Sequence, residues 1–254
     1  MVGMALFAGF IALGVWQVQR LSWKLDLIER VSQRLAAPPG ALPAPAQWPT
    51  LDVADRQYQT VRMQGMWLNN KTVLTQASTA FGPGYWVLTP LQMADDTQVL
   101  VNRGFVPQDQ RMQWLGGAAE SSVQPAPGSA PVTVIGLLRK SEPGGGFLRY
   151  NNPGEQRWYS RDVSAIAQAQ QLSRVAPFFV DVGLPDPRAA MTDAEQRQTP
   201  AQDPGPRLGL TVVRFSNTHL VYALTWFGLA LMVVGATGVV ARYERKLRMI
   251  DATR

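Results

Sequence analysis

The sequence predicts an α+β membrane protein, in which two transmembrane helices flank a strand-dominated periplasmic domain with one small helix. Three observations lead to this prediction. Each end of the chain has a long run without formal charge, all 19 prolines lie between the two runs, and a short basic segment follows the second run. Uncharged apolar runs of about 20 residues are long enough to cross a bilayer as helices.

The first predicted transmembrane helix covers residues 1–20. Residues 1–19 carry no formal charge and would form a helix about 28 Å long, close to the roughly 30 Å hydrocarbon core. A signal peptide is the alternative interpretation. However, no basic segment precedes the run, and small residues of the AxA type are missing at its end. Trp16 and Trp23 flank Arg20 as interfacial anchors do, so we predict a retained span.

Residues 21–45 are predicted to form an amphipathic helix followed by a proline-rich linker. Leu25, Ile28, Val31 and Leu35 recur at helical spacing, and the charged residues lie largely off that stripe. The helix is expected to stop at Pro38, because proline has no backbone N–H to donate. The stretch that follows it has the composition of an extended linker.

Residues 46–213 are predicted to form the strand-rich domain. Two hairpins are expected, with turns at Asn69–Asn70 and at Ala94–Asp96. A short helix is expected after Asp162, a favourable N-cap residue. Residues 185–206 contain five prolines and are predicted to be a loop. The predicted strands, in order, are YQTVRMQGMW, KTVLTQA, GYWVLTPLQM, TQVLVNRGFV, APVTVIGLLRK and APFFVDV.

The second predicted transmembrane helix covers residues 214–241. Residues 215–241 form 27 consecutive positions without formal charge or proline, about 40 Å of helix, which argues against the buried helix of a soluble protein. Residues 242–254 contain five basic and two acidic residues, which predicts a cytoplasmic tail and therefore two cytoplasmic termini. Arg20, Lys24 and their basic neighbours after the first span argue the other way, but long domains translocate largely regardless of charge.

Composition excludes several classes of chemistry. The chain has no cysteine, which excludes disulfides, thiolate metal sites and a cysteine nucleophile. One histidine excludes a multi-histidine metal site within one chain. No GxSxG, P-loop, GxGxxG or HExxH motif is present, so we predict that the protein is not an enzyme. Outside the tail, 19 basic residues nearly balance 16 acidic ones, and the tail alone supplies half of the net charge of +6, so we expect lipid but no nucleic acid as a partner.

The one histidine, His219, lies where the second apolar run begins. His219, Tyr222 and Trp226 are spaced i, i+3 and i+7, which places them on one side of a helix. Antiparallel spans would bring the end of the first helix, with Trp16, Gln17 and Arg20, level with the start of the second, which also holds Arg214 and Asn217. Such a histidine can ligate a haem iron axially, with arginines pairing to propionates. Alternatively, it is an interfacial residue beside an ordinary aromatic belt, and the residues taken alone favour this second interpretation.

The order of several segments resembles the surfeit locus protein 1 family, the assembly factors for cytochrome c oxidase found in bacteria and mitochondria. The matching segments cover most of the chain. They are LGVWQVQRLSWKLDLIERVSQRLAAPP, VRMQGMW, GPGYWVLTPLQM with VLVNRGFVP, VIGLLRKSEPGG, NNPGEQRWYSRDVSAIA and NTHLVYALTWFGLA. Residues 185–206 have no counterpart among these signatures, so no function is transferred to them.

The resemblance implies two transmembrane helices around a periplasmic domain, in a bacterial inner membrane. It implies a role in maturing the haem a centre of oxidase subunit I, with assembly intermediates, and potentially haem a synthase, as partners. His219 is implied as the axial ligand of a transiently bound haem a. Trp16, Gln17 and Arg20 match the first-helix signature, and Tyr85 and Gly104 match motifs of the central domain. A structural partner of the oxidase that binds no haem is the alternative function.

Overall fold

The computed structural model describes residues 2–115, 131–146, 149–184, 205–210 and 217–251. It divides into two compact units, one of Met1–Ser32 with Phe215–Arg254 and the other of Gln33–Arg214. The predicted combination of two long apolar helices with a strand-rich central domain and a small helix is confirmed.

The first unit is built from two long helices. Helix α1 spans Val2–Ala36. The last helix, α4 below, spans His219–Asp251. Val2–Ala36 and His219–Lys246 are long and apolar enough to cross a membrane by length and composition. Helix α1 is continuous, so the predicted first span and the amphipathic segment after it form one rod of about 50 Å.

The second unit is a mixed sheet with two short helices. Among the described residues the strands are β1 (Gly40–Ala41), β2 (Thr60–Trp67), β3 (Val73–Thr79), β4 (Gly82–Gln92), β5 (Gln98–Pro107), β6 (Val132–Lys140) and β7 (Val175–Val182). Helices α2 and α3 are Arg111–Trp114 and Val163–Ala169. The sheet order is β1-β2-β6-β7-β5-β4-β3, with one further pairing between β2 and β4. That pairing closes five strands into a circuit, as in a small barrel.

Side chains point alternately to the two faces of the sheet along each strand, and they form separate apolar clusters on the two faces. Strands β2, β4, β5, β6 and β7 all contribute to one cluster, which fills the inside of the circuit. Its buried members are Val61, Met63, Leu91, Val99, Val101, Val134, Leu138, Ala176, Phe178 and Val180. Leu100 and Phe179 point the opposite way and pack with Ile166 of α3. Side chains two apart therefore share a face, and a one-residue slip would exchange the two clusters.

Two local features match the expected turn chemistry. The side chain of Asp162 accepts a hydrogen bond from the N–H of Ala165 at 3.1 Å and so caps helix α3. Residues 93–97 join β4 to β5, which pair antiparallel down to Gln92 opposite Gln98. The predicted short helix and the predicted second hairpin are therefore confirmed.

The predicted hairpin at Asn69–Asn70 is wrong. Strand β2 pairs with β6, and β3 pairs with β4. Met66 and Trp67 at the end of β2 also pair with β4, so residues 66–79 run along β4 in one direction. Asn69–Lys71 form one turn of 3₁₀ helix that carries the chain past the bend without reversing it.

The proline-rich stretch is more ordered than the predicted linker. Gly40 and Ala41 pair parallel with β2, and Pro45–Thr50 form a 3₁₀ helix. The indole N–H of Trp48 donates to the carbonyl of Pro43 at 2.9 Å. The same ring meets Phe178 edge to face, with a centroid distance of 6.2 Å, and so packs against the cluster inside the strands.

Candidate functional site

The candidate site lies at the start of α4, in the two-helix unit. His219 is the first residue of α4, and the N–H of Tyr222 donates to the carbonyl of Thr218 at 3.2 Å in the first turn. A helix start leaves backbone donors without partners, and polar residues such as Asn217 and Thr218 are preferred there. The imidazole therefore projects from a well-defined position.

The imidazole contacts the first helix through one hydrogen bond. Nδ1 of His219 lies 2.7 Å from Oε1 of Gln17, although the two residues are 202 positions apart in sequence. Gln17 is nearly buried, with 9% of its surface exposed. A short hydrogen bond with little access to water is stronger than an exposed one, because water does not compete for either partner. No hydrogen bond to the other ring nitrogen, Nε2, is found in the described part of the chain.

Small residues bring the two helices close enough for this contact. Ala223 and Ala230 are buried, and Gly14 lies against the ring of Phe227. A Cβ atom at Gly14 would overlap that ring. Close packing of helices over glycine and alanine is typical of membrane proteins. Gly14 lies three residues before Gln17 on α1. The packing of Phe227 against Gly14 therefore keeps the two helices close enough for the Gln17 side chain to reach His219.

The three aromatic positions of α4 are not equivalent. Trp226 stacks on Phe10 of α1, with ring centroids 5.8 Å apart and an interplanar angle of 26°. Tyr222 is instead exposed, with 53% of its surface accessible. Helical geometry accounts for the difference: seven residues nearly complete two turns, whereas three residues stop about 60° short of one. His219 and Trp226 therefore face α1, and Tyr222 lies at the side of that face.

Of the two basic candidates, only Arg20 lies among the described residues. Arg20 is exposed, and its guanidinium lies 4.0 Å from the ring centroid of Trp23, a cation–π contact. Trp16 is also exposed, at 54%. Arg214 lies outside the described residues.

The two-helix unit offers a single imidazole nitrogen as a metal ligand, and not a group of several ligating side chains. Among the residues that the structure describes, no group of three or more histidine, cysteine, aspartate or glutamate side chains could hold a metal ion. A single imidazole suits a metal that already carries most of its ligands, as a haem iron does. A neutral histidine whose Nδ1 is engaged presents Nε2 for such a bond. The residues present therefore fit a haem, whose iron His219 would hold through Nε2.

In the central domain, Gly104 has a backbone role. Its φ angle of +123° is in the region that favours glycine, and a Cβ atom there would overlap the carbonyl of Arg207. The N–H of Phe105 donates to that carbonyl at 2.9 Å. The VNRGF motif therefore seats residues 205–210 on β5.

Tyr85 lines an open cleft in the same domain. Two adjoining cavities of about 410 and 520 Å³ share Gln76, Tyr85, Gln108 and Tyr159. The guanidinium of Arg111 lies over the Tyr85 ring, and that of Arg149 over the Tyr159 ring, each at 5.6 Å. Hydroxyl, amide and guanidinium groups make this cleft polar, and it contains no nucleophile with a histidine base.

Sequence reasoning missed the contacts that build the helix pair. It placed Gln17 near His219 without identifying the hydrogen bond, and it did not identify Phe10, Gly14 or Phe227. A glycine one turn before a glutamine, within an otherwise apolar span, is a signal that could have found them. Small residues permit close approach, and a polar side chain beside them needs a partner across the interface.

Comparison with known proteins extends these observations to a family. A model of the SURF1 family matches residues 4–231, which include Gln17, the central domain and His219. Surfeit locus protein 1 of Homo sapiens is 30% identical over 235 residues, covering 86% of this chain and 69% of the human protein. The protein of that name from Rattus norvegicus is 30% identical over 240 residues, covering 85% and 67%. A SURF1-like protein of Drosophila melanogaster is 32% identical over 237 residues, covering 86% and 69%. The chain therefore belongs to the SURF1 family.

Proposed function

We propose that this protein is an assembly factor for a haem–copper cytochrome c oxidase, and that it binds haem a through His219 while subunit I matures. Membership of the SURF1 family supports the general role. The observation that carries the haem-binding part is the one imidazole of the chain, which is held through Nδ1 by Gln17.

Each candidate residue has a proposed role in holding the haem. Nε2 of His219 would ligate the iron. Arg20 supplies a positive charge for a propionate, and Arg214 is a second candidate for that role. Tyr222 and Trp16 are exposed aromatic side chains that can cover the macrocycle, whereas Trp226 packs on Phe10 and steadies the helix pair. Haem a is the cargo that subunit I requires, so transient binding suits an assembly factor.

The surroundings of the site follow from the charge pattern. The basic tail in residues 242–254 is on the cytoplasmic side, so the central domain is periplasmic and the protein is a two-span protein of a bacterial inner membrane. Partners are oxidase subunit I, its assembly intermediates and lipid, with haem a synthase as the donor of the cofactor. The proposed role is not enzymatic, because the cleft near Tyr85 has no histidine to act as the base for its Ser78 hydroxyl.

The direct test is the visible spectrum of detergent-purified protein produced together with the enzymes of haem a synthesis. Wild-type protein is expected to carry haem a, and His219→Ala to lose it. His219→Gly with added imidazole is the second variant, because an external ligand can fill the space and restore the spectrum if iron binds there. Retention of the wild-type spectrum in both variants without imidazole contradicts ligation by His219.

The alternative function is a structural partner that grips an oxidase intermediate without binding haem. It is favoured by the domain itself, whose VNRGF strand seats residues 205–210 and whose cleft is open. In that case wild-type protein carries no haem a. Gly104→Ala would then lower oxidase assembly more than His219→Ala does.

A further inference from the structure

The hydrogen bond between Gln17 and His219 has a defined direction. We propose that Gln17 is a positioning residue that fixes His219 in the Nδ1–H tautomer, so that Nε2 carries the lone pair available to a metal. This inference rests on the proposed function for its purpose, but the tautomer is a property of the protein without haem.

The direction follows from the atoms that meet. Oε1 of an amide has lone pairs and no proton, so it can only accept a hydrogen bond. A neutral imidazole has one N–H and one bare nitrogen. With Oε1 at 2.7 Å, Nδ1 is therefore the donor, and in a neutral ring Nε2 then carries the lone pair. In the other tautomer, a lone pair on Nδ1 would face a lone pair on Oε1.

Burial strengthens this preference. Gln17 is 9% exposed, so water is a poor substitute for the imidazole as the partner of its amide oxygen. Leaving this buried acceptor unsatisfied shifts the tautomer ratio by about tenfold. Free imidazole in water has no such constraint, because solvent bonds to both nitrogens.

A glutamine has a different effect from a glutamate at this position. The amide accepts a hydrogen bond from Nδ1–H without adding a charge inside the helix pair, so the ring is a moderate electron donor. A carboxylate would pull that proton more strongly and make Nε2 more basic. Gln17 thus keeps the His219 imidazole oriented while leaving its bond to the iron weak. A weak bond suits a haem that must be passed on.

Because the chain has one histidine, an imidazole spectrum reports on a single residue. With ¹⁵N-histidine labelling, every imidazole signal of the chain comes from His219. The spectrum is recorded on haem-free protein in detergent at pH 8.5, where an ordinary histidine is neutral. Wild type is expected to show Nδ1 protonated and Nε2 bare. Gln17→Met keeps the side-chain length without an acceptor, and is expected to lower the Nδ1–H to Nε2–H ratio by about tenfold.

Two further variants control the result. Gln17→Glu retains an acceptor oxygen and is expected to keep Nδ1 protonated. Gln19→Met is the matched control, because this residue is exposed on the same helix, and is expected to leave the spectrum unchanged. A wild-type spectrum with Nε2 protonated overturns the proposal, as does a Gln17→Met spectrum identical to wild type.

A second readout separates this inference from the proposed function. In haem-loaded protein, the midpoint potential of the iron is expected to be lower in Gln17→Glu than in wild type, because a more basic imidazole favours ferric iron. An unchanged potential contradicts the inferred difference between an amide and a carboxylate as the partner of Nδ1, although haem binding stands. If wild type binds no haem while its ring is the Nδ1–H tautomer, the proposed function fails and the positioning role stands.

Discussion

Asp181 of the strand-rich domain and His219 of the two-helix unit differ in how completely their polar atoms are partnered. In the domain, the nearly buried carboxylate of Asp181 is shared between Arg139 and Arg161, at 2.8 and 3.2 Å, and accepts from the Asn102 amide at 2.8 Å. In the helical unit, Nδ1 of His219 meets Gln17, and Nε2 has no partner among the described residues. The difference belongs to these two side chains, because the domain also has buried polar atoms without a hydrogen bond among the described residues, as in Thr75 and Trp158. Under the proposed function, Nε2 is the atom that would meet a haem iron.

The largest effect is expected at Asp181, because its removal leaves two arginines without their shared carboxylate. Burial alone would lower the pKa of Arg161, but Glu142 and Asp181 more than offset this and raise the pKa above its ordinary value. Asp181→Asn is expected to destabilise the domain by about 3–5 kcal/mol. Unfolding followed by the circular dichroism of the strands measures the loss.

Glu142→Gln is the control for that experiment. The Glu142 side chain is 41% exposed although it bonds Arg161 at 2.6 Å, so its loss should cost about 1 kcal/mol or less. Equal losses in the two variants would show that burial does not distinguish the two carboxylates. The claim that the buried Asp181 carboxylate stabilises the domain more than the exposed Glu142 carboxylate would then be wrong.

The helical unit should respond to packing rather than to charge. Gly14→Ala places a methyl group against the Phe227 ring and is expected to cost about 1–3 kcal/mol. Gly9→Ala is the control in the same helix, because no atom lies within 4 Å of a Cβ there, and it should be neutral or stabilising. Thermal loss of the helical signal in detergent compares them. Recovery of Gly14→Ala by Phe227→Leu would identify the contact, and an equal cost for both glycines would contradict it.

The smallest effect concerns a turn at the surface of the domain. The hydroxyl and N–H of Thr97 bond the carboxylate of Asp95, and these bonds hold the pKa of Asp95 below its ordinary value. A depressed pKa contributes stability above the unfolded-state pKa, near 4, and that contribution is lost as the pH falls through the folded-state pKa. Thr97→Val should therefore raise the pKa of Asp95, as measured by carboxyl NMR, and slightly flatten the acid side of the stability curve. An unchanged pKa would contradict this assignment.

Local patterns in the sequence predicted local structure well. Asp162 caps the helix that it was expected to begin, and the apolar segments predicted as strands at β5 and β7 form strands. These features depend on neighbours in sequence, so the pattern contains the information. The uncharged runs likewise predicted both long helices from length and charge alone.

Pairings across long sequence separations were not predictable in this way. Strand β2 selects β6, some 70 residues later, because closing the circuit buries Val61 and Val134 in one cluster. The Asn69–Asn70 pair carries a hairpin signal that this tertiary pairing overrides. The Gln17–His219 bond is a similar case: the sequence placed both residues at one level, but the helix rotation that joins them depends on Gly14 and Phe227.

The central claim is that the helical unit acts through the imidazole of His219. Its most direct test is the haem a content per subunit I of oxidase purified from cells that depend on this protein, with wild type or His219→Ala at equal abundance. We predict several-fold less haem a with His219→Ala, while subunit I itself is still made. Full haem a content and full oxidase activity with His219→Ala would contradict the account.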